Sequence, residues 1–214
     1  MELQLAIDLL NKEDAAELAN KVKDYVDIVE IGTPIIYNEG LPAVKHMADN
    51  ISNVKVLADM KIMDAADYEV SQAIKFGADV ITILGVAEDA SIKAAIEEAI
   101  EEAHKNNKQL LVDMIAVQDL EKRAKELDEM GADYIAVHTG YDLQAEGQSP
   151  LESLRTVKSV IKNSKVAVAG GIKPDTIKDI VAESPDLVIV GGGIANADDP
   201  VEAAKQCRAA IEGK

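Results

Sequence analysis

Three observations on the 214-residue chain predict an α/β protein folded as a (β/α)8 TIM barrel. Short β-branched runs alternate with amphipathic charged segments from end to end, eight such units are present, and no Pro-rich or Gly/Ser-rich linker interrupts them. Regular strand–helix alternation implies parallel strands with right-handed crossovers. A barrel of this kind needs at least ~200 residues, so residues 1–214 read as one domain. The competing architecture is an open doubly wound sheet with a dinucleotide site. No G-x-G-x-x-G follows the first strand, however, and "GGGIAN" comes only after the last.

The predicted strands are, in order, "LQLAID" (3–8), "DIVEIG" (27–32), "VKVLADM" (54–60), "DVITILG" (79–85), "QLLVDMI" (109–115), "DYIAVH" (133–138), "KVAVAGG" (165–171) and "DLVIVGG" (186–192). Between them lie helix patterns such as "EDAAELANKVKDY" and "DASIKAAIEEAIEEAHKNN", rich in Ala, Glu, Lys and Leu with apolar spacing near three to four. "KFGADVITI", "EMGADYIAV" and "ESPDLVIV" each close a helix and step through an Asp into the next strand. A Gly just past a helix supplies a left-handed cap. The longest connection, "HTGYDLQAEGQSP" from His138 to Pro150, is expected to cover substrate, with Pro150 starting the next helix.

The chain carries 39 Asp plus Glu against 22 Lys plus Arg, a formal net charge of −17, and lacks any basic run interleaved with aromatics. That balance disfavours nucleic acid and anionic membrane as partners. A small phosphorylated substrate is still allowed, because backbone N–H groups bind phosphate locally. The sole cysteine, Cys207, excludes a disulfide framework and a Cys-based metal site within one chain, and reads as a small buried hydrophobe. The N-terminal run carries Asp8 and has neither a basic leader nor a small-residue cleavage site; no apolar run approaches membrane-spanning length. A cytoplasmic protein is expected.

Side chains alternate faces along a strand. On that parity Asp8, Glu30, Asp59, Lys61, Asp113 and His138 lie opposite the helix-facing apolar residues, each late in its strand. They should converge on the C-terminal mouth, where active sites of this fold are built. A satisfied layer of ion pairs is the plain alternative for any one of them, since Lys61 can pair with Asp59 or Asp113. For the whole set it is costly, because several carboxylates would surround one ammonium. Glu30 and Asp59 offer hard oxygen donors on neighbouring strands, suited to Mg²⁺, although two carboxylates also make an ordinary acid–base pair. Lys61 suits a developing oxyanion and His138 proton transfer; His46 and His104 fall in helix-like segments and are expected to face solvent. Gly170 and Gly171 end strand seven and Gly191 to Gly193 end strand eight, so their backbone N–H groups can approach a phosphate.

"DMKIMD", a D-x-K-x-x-D pattern at strand three, together with "AVHTGYDLQAEGQSP", "VAVAGGI" and "VIVGGGI", resembles the 3-hexulose-6-phosphate synthases of the orotidine 5′-monophosphate decarboxylase suprafamily. The resemblance implies a homodimeric, Mg²⁺-dependent barrel that adds ribulose 5-phosphate to formaldehyde through an enediolate. It implies Glu30 and Asp59 as metal ligands, and Lys61 as the group that stabilises the enediolate oxygen. Asp64 would reach into the partner's site. Asp8 and Asp113 would contact substrate hydroxyls, and Gly170, Gly171, Gly191 and Gly192 the phosphate. His138 is assigned as base, with Asp64 or another carboxylate as competitor. The close relative 3-keto-L-gulonate-6-phosphate decarboxylase typically has Glu where Asp113 stands, Arg at Tyr141 and Arg at Gly192. Orotidine monophosphate decarboxylase uses a Lys where Glu30 stands, ribulose-phosphate 3-epimerases several histidines. Ala66 and Asp67 occupy a stretch where the synthase pattern has glycine. A non-catalytic phosphosugar-binding barrel would need the glycine turns but not the charge cluster.

Overall fold

The chain follows strict strand–helix order in the computed structural model, which describes residues 1–106 and 108–213, with backbone alone for 100–106. The order is β1 (Glu2–Ile7), α1 (Lys12–Val22), β2 (Ile28–Ile31), α2 (Thr33–Glu39), α3 (Leu41–Asn50), β3 (Lys55–Ile62), α4 (Ala66–Lys75), β4 (Val80–Leu84), α5 (Asp89–Asn106) and β5 (Gln109–Asp113). It continues with α6 (Leu120–Met130), β6 (Tyr134–His138), α7 (Tyr141–Ala145), α8 (Leu151–Val160), β7 (Lys165–Ala169), α9 (Ile177–Ala182), β8 (Leu187–Val190), α10 (Gly192–Ala195) and α11 (Pro200–Ile211). The eight strands pair in parallel and β8 returns to β1, closing the barrel that the sequence predicts. Every predicted strand is present, with ends moved by one or two residues. Pro150 caps α8 from just outside its first turn.

Alternation along each strand separates two apolar layers. Leu3, Leu5, Ile7, Val29, Ile31, Val56, Ile81, Val112 and Ile135 pack outward against the helices. Ala6, Ile28, Leu57, Val80, Leu111, Tyr134, Ala167 and Leu187 fill the barrel interior. Below that inner layer the barrel is plugged by polar groups: the Tyr134 hydroxyl donates to Glu2 at 2.6 Å, and Lys55 bridges Glu2 and Gln109 at 3.2 and 3.0 Å. With the interior filled and the N-terminal end sealed, the C-terminal end is left to carry chemistry.

The Asp that steps into alternate strands has a definite task. Asp27, Asp79, Asp133 and Asp186 each stand just before β2, β4, β6 and β8. Each accepts the backbone N–H of the second residue of the preceding strand: Leu3 (2.8 Å), Val56 (2.9 Å), Leu110 (2.9 Å) and Val166 (2.8 Å). A strand's first amides have no ladder partner of their own, and a carboxylate supplies a charge-assisted one. Gly77 and Gly131 turn the preceding helices at φ 96° and 93°, whereas Ser184 takes that left-handed place before β8 at φ 51°. Among the other sequence expectations, Cys207 is fully buried, which pushes its thiol up to about 11. His46 is half-buried on α3 rather than solvent-facing. The side chain of His104 lies outside the described residues.

Candidate active site

The barrel mouth gathers Asp8, Glu30, Asp59, Lys61, Asp113 and His138. Glu30, on β2, is 8% exposed and accepts a short hydrogen bond from the Gln4 amide of β1. Burial raises its carboxyl well above the usual range, and Asp59 and Asp8 raise it further by repulsion. Asp8 follows β1 at the solvent-exposed rim, and the surrounding wall together with Asp59 raises its carboxyl as well. Gly32 makes room for it, since a Cβ there would stand 2.1 Å from Asp8 Oδ1.

Strand β3 places its charges by an irregularity. Its register with β4 slips between Ala58 and Ile62, and Lys61 adopts φ 48°, the bulge conformation that re-aims side chains near active sites. Asp59 (5% exposed) and Lys61 stand side by side, with Lys61 Nζ 2.8 and 3.0 Å from the two Asp59 oxygens. The same Nζ lies 3.1 Å from Asp113 Oδ2 at the end of β5. Asp113 Oδ2 meets His138 Nδ1 at 2.9 Å, and Oδ1 accepts the Ile115 N–H at 2.9 Å. Burial works against ionised Asp113, but the His138 hydrogen bond and the His138 and Lys61 charges hold its carboxyl below the usual range. Burial also opposes the Lys61 charge, and Asp59 and Asp113 overcome it, lifting the ammonium well above its ordinary value. The contact engages Nδ1 of His138 and leaves Nε2 for another partner.

Two residues that the sequence reading missed complete this network: Thr33 Oγ1 donates to Asp59 Oδ2 at 2.6 Å, and Thr82 Oγ1 to Asp59 Oδ1 at 2.8 Å. The signal for Thr82 was present as one hydroxyl at an inward position of an otherwise apolar strand, "VITIL". Asp64 lies beyond β3 and is exposed, apart from the Lys61 cluster and near Glu69, whose carboxyl is raised by burial and then by Asp64.

At the far side of the mouth the glycines differ in kind. Gly170 and Gly171 take φ 118° and 67°, and a Cβ on Gly170 would meet the Thr139 carbonyl at 2.5 Å. Gly191 has negative φ and leads into α10, and a Cβ on Gly193 would meet the Ile172 carbonyl at 2.5 Å. The connection after β6 contains the short helix α7, anchored by a 2.7 Å hydrogen bond from the Gln144 amide to the Thr139 carbonyl. Gln144 also lies beside Gly171.

Carboxylates, one ammonium and one imidazole facing glycine turns at the C-terminal mouth of a (β/α)8 scaffold describe the class of barrel enzymes that work with acid–base groups at the strand ends. The chain belongs to the orotidine 5′-phosphate decarboxylase / HUMPS family, which matches residues 1–207, as the sequence resemblance implied. The 3-hexulose-6-phosphate synthase of Staphylococcus aureus (strain NCTC 8325) is 98% identical over 214 residues, the full length of both chains. Among solved structures, 3-hexulose-6-phosphate synthase from Salmonella typhimurium superposes with a TM-score of 0.95 at 42% identity, covering 100% of this chain and 99% of that one. The 3-keto-L-gulonate-6-phosphate decarboxylase from Vibrio cholerae superposes at 0.84 with 26% identity, covering 99% and 97%, a likeness that speaks for the fold.

Proposed function

We propose that the chain is an aldehyde-lyase with 3-hexulose-6-phosphate synthase activity, joining ribulose 5-phosphate to formaldehyde and reversing that reaction. The observation that carries this reading is the continuous Asp59–Lys61–Asp113–His138 network at the barrel mouth. Near-identity to a synthase over the full chain supports it.

In this reading His138 takes a proton from C1 of ribulose 5-phosphate. Asp113 holds the Nδ1 proton, so the imidazole is the right tautomer to accept at Nε2. The electron pair left on C1 spreads into an enediolate, whose oxygen the Lys61 ammonium stabilises. C1 then bonds to the formaldehyde carbon while the C=O π pair moves to oxygen, and the alkoxide takes up a proton, giving the hexulose phosphate. Backbone N–H groups at Gly170, Gly171, Gly191 and Gly192 receive the phosphate, and Asp8 and Asp113 accept hydrogen bonds from substrate hydroxyls.

Glu30 and Asp59 fit Mg²⁺. Glu30 is buried beside two further acids that all raise its proton affinity, an arrangement that a cation relieves. Among the described residues no three acidic, imidazole or thiol side chains converge at ligand spacing, so the chain would supply two ligands and leave the remaining positions to water and substrate oxygens. When bound, the ion supplies Lewis-acid polarisation of the ketose oxygens. With its oxygens shared between Lys61 and such an ion, Asp59 would hold the ammonium less tightly and Lys61 would be freer to meet substrate.

In this reading the enzyme works in the cytoplasm. No helix among the described residues is long and apolar enough to cross a membrane. The working unit is a homodimer in which Asp64 enters the partner's site. Tyr37, Met63, Tyr68 and Val86 are exposed large apolar side chains following β2, β3 and β4, the same side of the mouth as Asp64.

Proton NMR of ribulose 5-phosphate in D₂O, with Mg²⁺ or EDTA and then with formaldehyde, tests the reading. Metal-dependent C1 exchange followed by a new hexulose phosphate is expected. Absence of both in folded protein would refute it. His138→Asn should slow exchange by roughly 10²–10⁴-fold; exchange at the parent rate removes His138 as the base.

A further inference from the structure

The register slip in β3 leaves Lys61 in a left-handed conformation, which is unfavourable for a residue that carries a Cβ. It also needs a new partner for the Lys61 backbone N–H. Thr82 Oγ1 on β4 accepts that N–H at 2.9 Å, while its own hydroxyl proton goes to Asp59 Oδ1 at 2.8 Å. One hydroxyl thus ties the backbone of the ammonium-bearing residue to the carboxylate two positions before it. Thr82 is 3% exposed, in a strand otherwise made of Val, Ile and Leu. A buried hydroxyl is unfavourable there unless both of its roles are filled. Thr33 holds the other Asp59 oxygen but makes no contact with the Lys61 backbone among its hydrogen bonds, which go to the Asp59 carbonyl and carboxylate.

We propose that Thr82 is the positioning residue that locks the β3 bulge and holds Asp59 in the orientation that receives the cation and releases Lys61 to substrate. The proposal rests on the reading of Glu30 and Asp59 as the Mg²⁺ ligands. Its chemistry is specific: valine has threonine's shape and neither hydrogen bond, whereas serine keeps both.

The test is a thermal-shift titration with MgCl₂ in the absence of substrate, paired with C1 exchange of ribulose 5-phosphate, on the parent and on Thr82→Val and Thr82→Ser. Thr82→Val should shift the Mg²⁺ midpoint upward and slow exchange, each by about 10–100-fold, the range for groups that orient a metal ligand. Thr82→Ser should stay within about threefold of the parent, because it keeps both hydrogen bonds. A valine variant with the parent's midpoint and exchange rate overturns the proposal. If the valine variant does not fold, Thr82→Cys replaces it: the thiol is a weak donor, so a loss of about 10–100-fold supports the assignment and a result within about threefold of the parent overturns it. A parent protein whose melting ignores Mg²⁺ refutes the metal reading itself, and the role given to Thr82 falls with it.

Discussion

At the residue scale, Glu30 sets function against stability. Its carboxyl is buried among acids, so its folded-state pKa lies well above the ordinary 4.5. The folded protein therefore holds a proton that the unfolded chain releases, and stability falls as pH rises from 4.5 through the folded pKa. The penalty is complete at higher pH and absent below 4.5. Removing the charge should then help folding and harm catalysis. Glu30→Gln is expected to melt higher than the parent at neutral pH in EDTA, with the gap closing on acidification or on adding Mg²⁺, and to lose more than about a hundredfold in activity. A lower melting temperature in EDTA would mean that the Gln4 hydrogen bond outweighs the repulsion. The inward placement of Glu30 was legible from strand parity, because its neighbours Val29 and Ile31 demand the helix-facing side. The second partner of Lys61 was not: pairing with Asp59 or with Asp113 were open alternatives, and the ammonium reaches both.

At the element scale, the four Asp steps are the regular device and the β3 bulge is the exception. Asp186→Ala removes a charge-assisted bond to the Val166 N–H and leaves that amide without its partner. A loss of about 1.5–3 kcal/mol in denaturant unfolding is expected, with catalysis in the folded protein near the parent level because the N-terminal end is remote from the mouth. A loss below about half a kcal/mol would indicate that water replaces the carboxylate. The "GAD" and "SPD" joints announced three of these steps through their repetition along the chain, whereas Asp27, in "YVD", carried no such signal. No comparable repetition announced the bulge, since "VKVLADMKI" reads as an unbroken strand; its positive φ at Lys61 follows from the pairing with β4 and from Thr82. The connection from His138 to Pro150 carries α7, with Tyr141 and Leu143 exposed, and is the segment proposed to cover substrate. Limited proteolysis there should slow when ribulose 5-phosphate and Mg²⁺ are both saturating; cleavage indifferent to ligand would make it a passive connector.

For the whole molecule, the question is whether one barrel holds a complete site. Asp64 stands outside the Lys61 network, exposed on the same side of the mouth as Tyr37, Met63, Tyr68 and Val86. In the proposed homodimer, an isologous interface over that surface would bring each Asp64 to the other subunit's mouth. Mixing inactive Lys61→Ala and Asp64→Asn subunits should then restore roughly a quarter of parental activity, because half the dimers are mixed and each mixed dimer has one intact site. No recovery after verified subunit exchange would place Asp64 in its own barrel. Barrel class, strand order and the ionisable residues of the mouth were determined by the sequence alone, because alternation and periodicity are local patterns that any closed parallel sheet must respect. The Lys61 bridge between Asp59 and Asp113, the threonine clamp and the left-handed turn at Lys61 were decided only in three dimensions. They depend on contacts of β3 with the start of α2, with β4 and with β5, between residues from 21 to 52 positions apart in the chain. Only the closing of the sheet, with its fixed register, brings such distant groups within hydrogen-bonding distance.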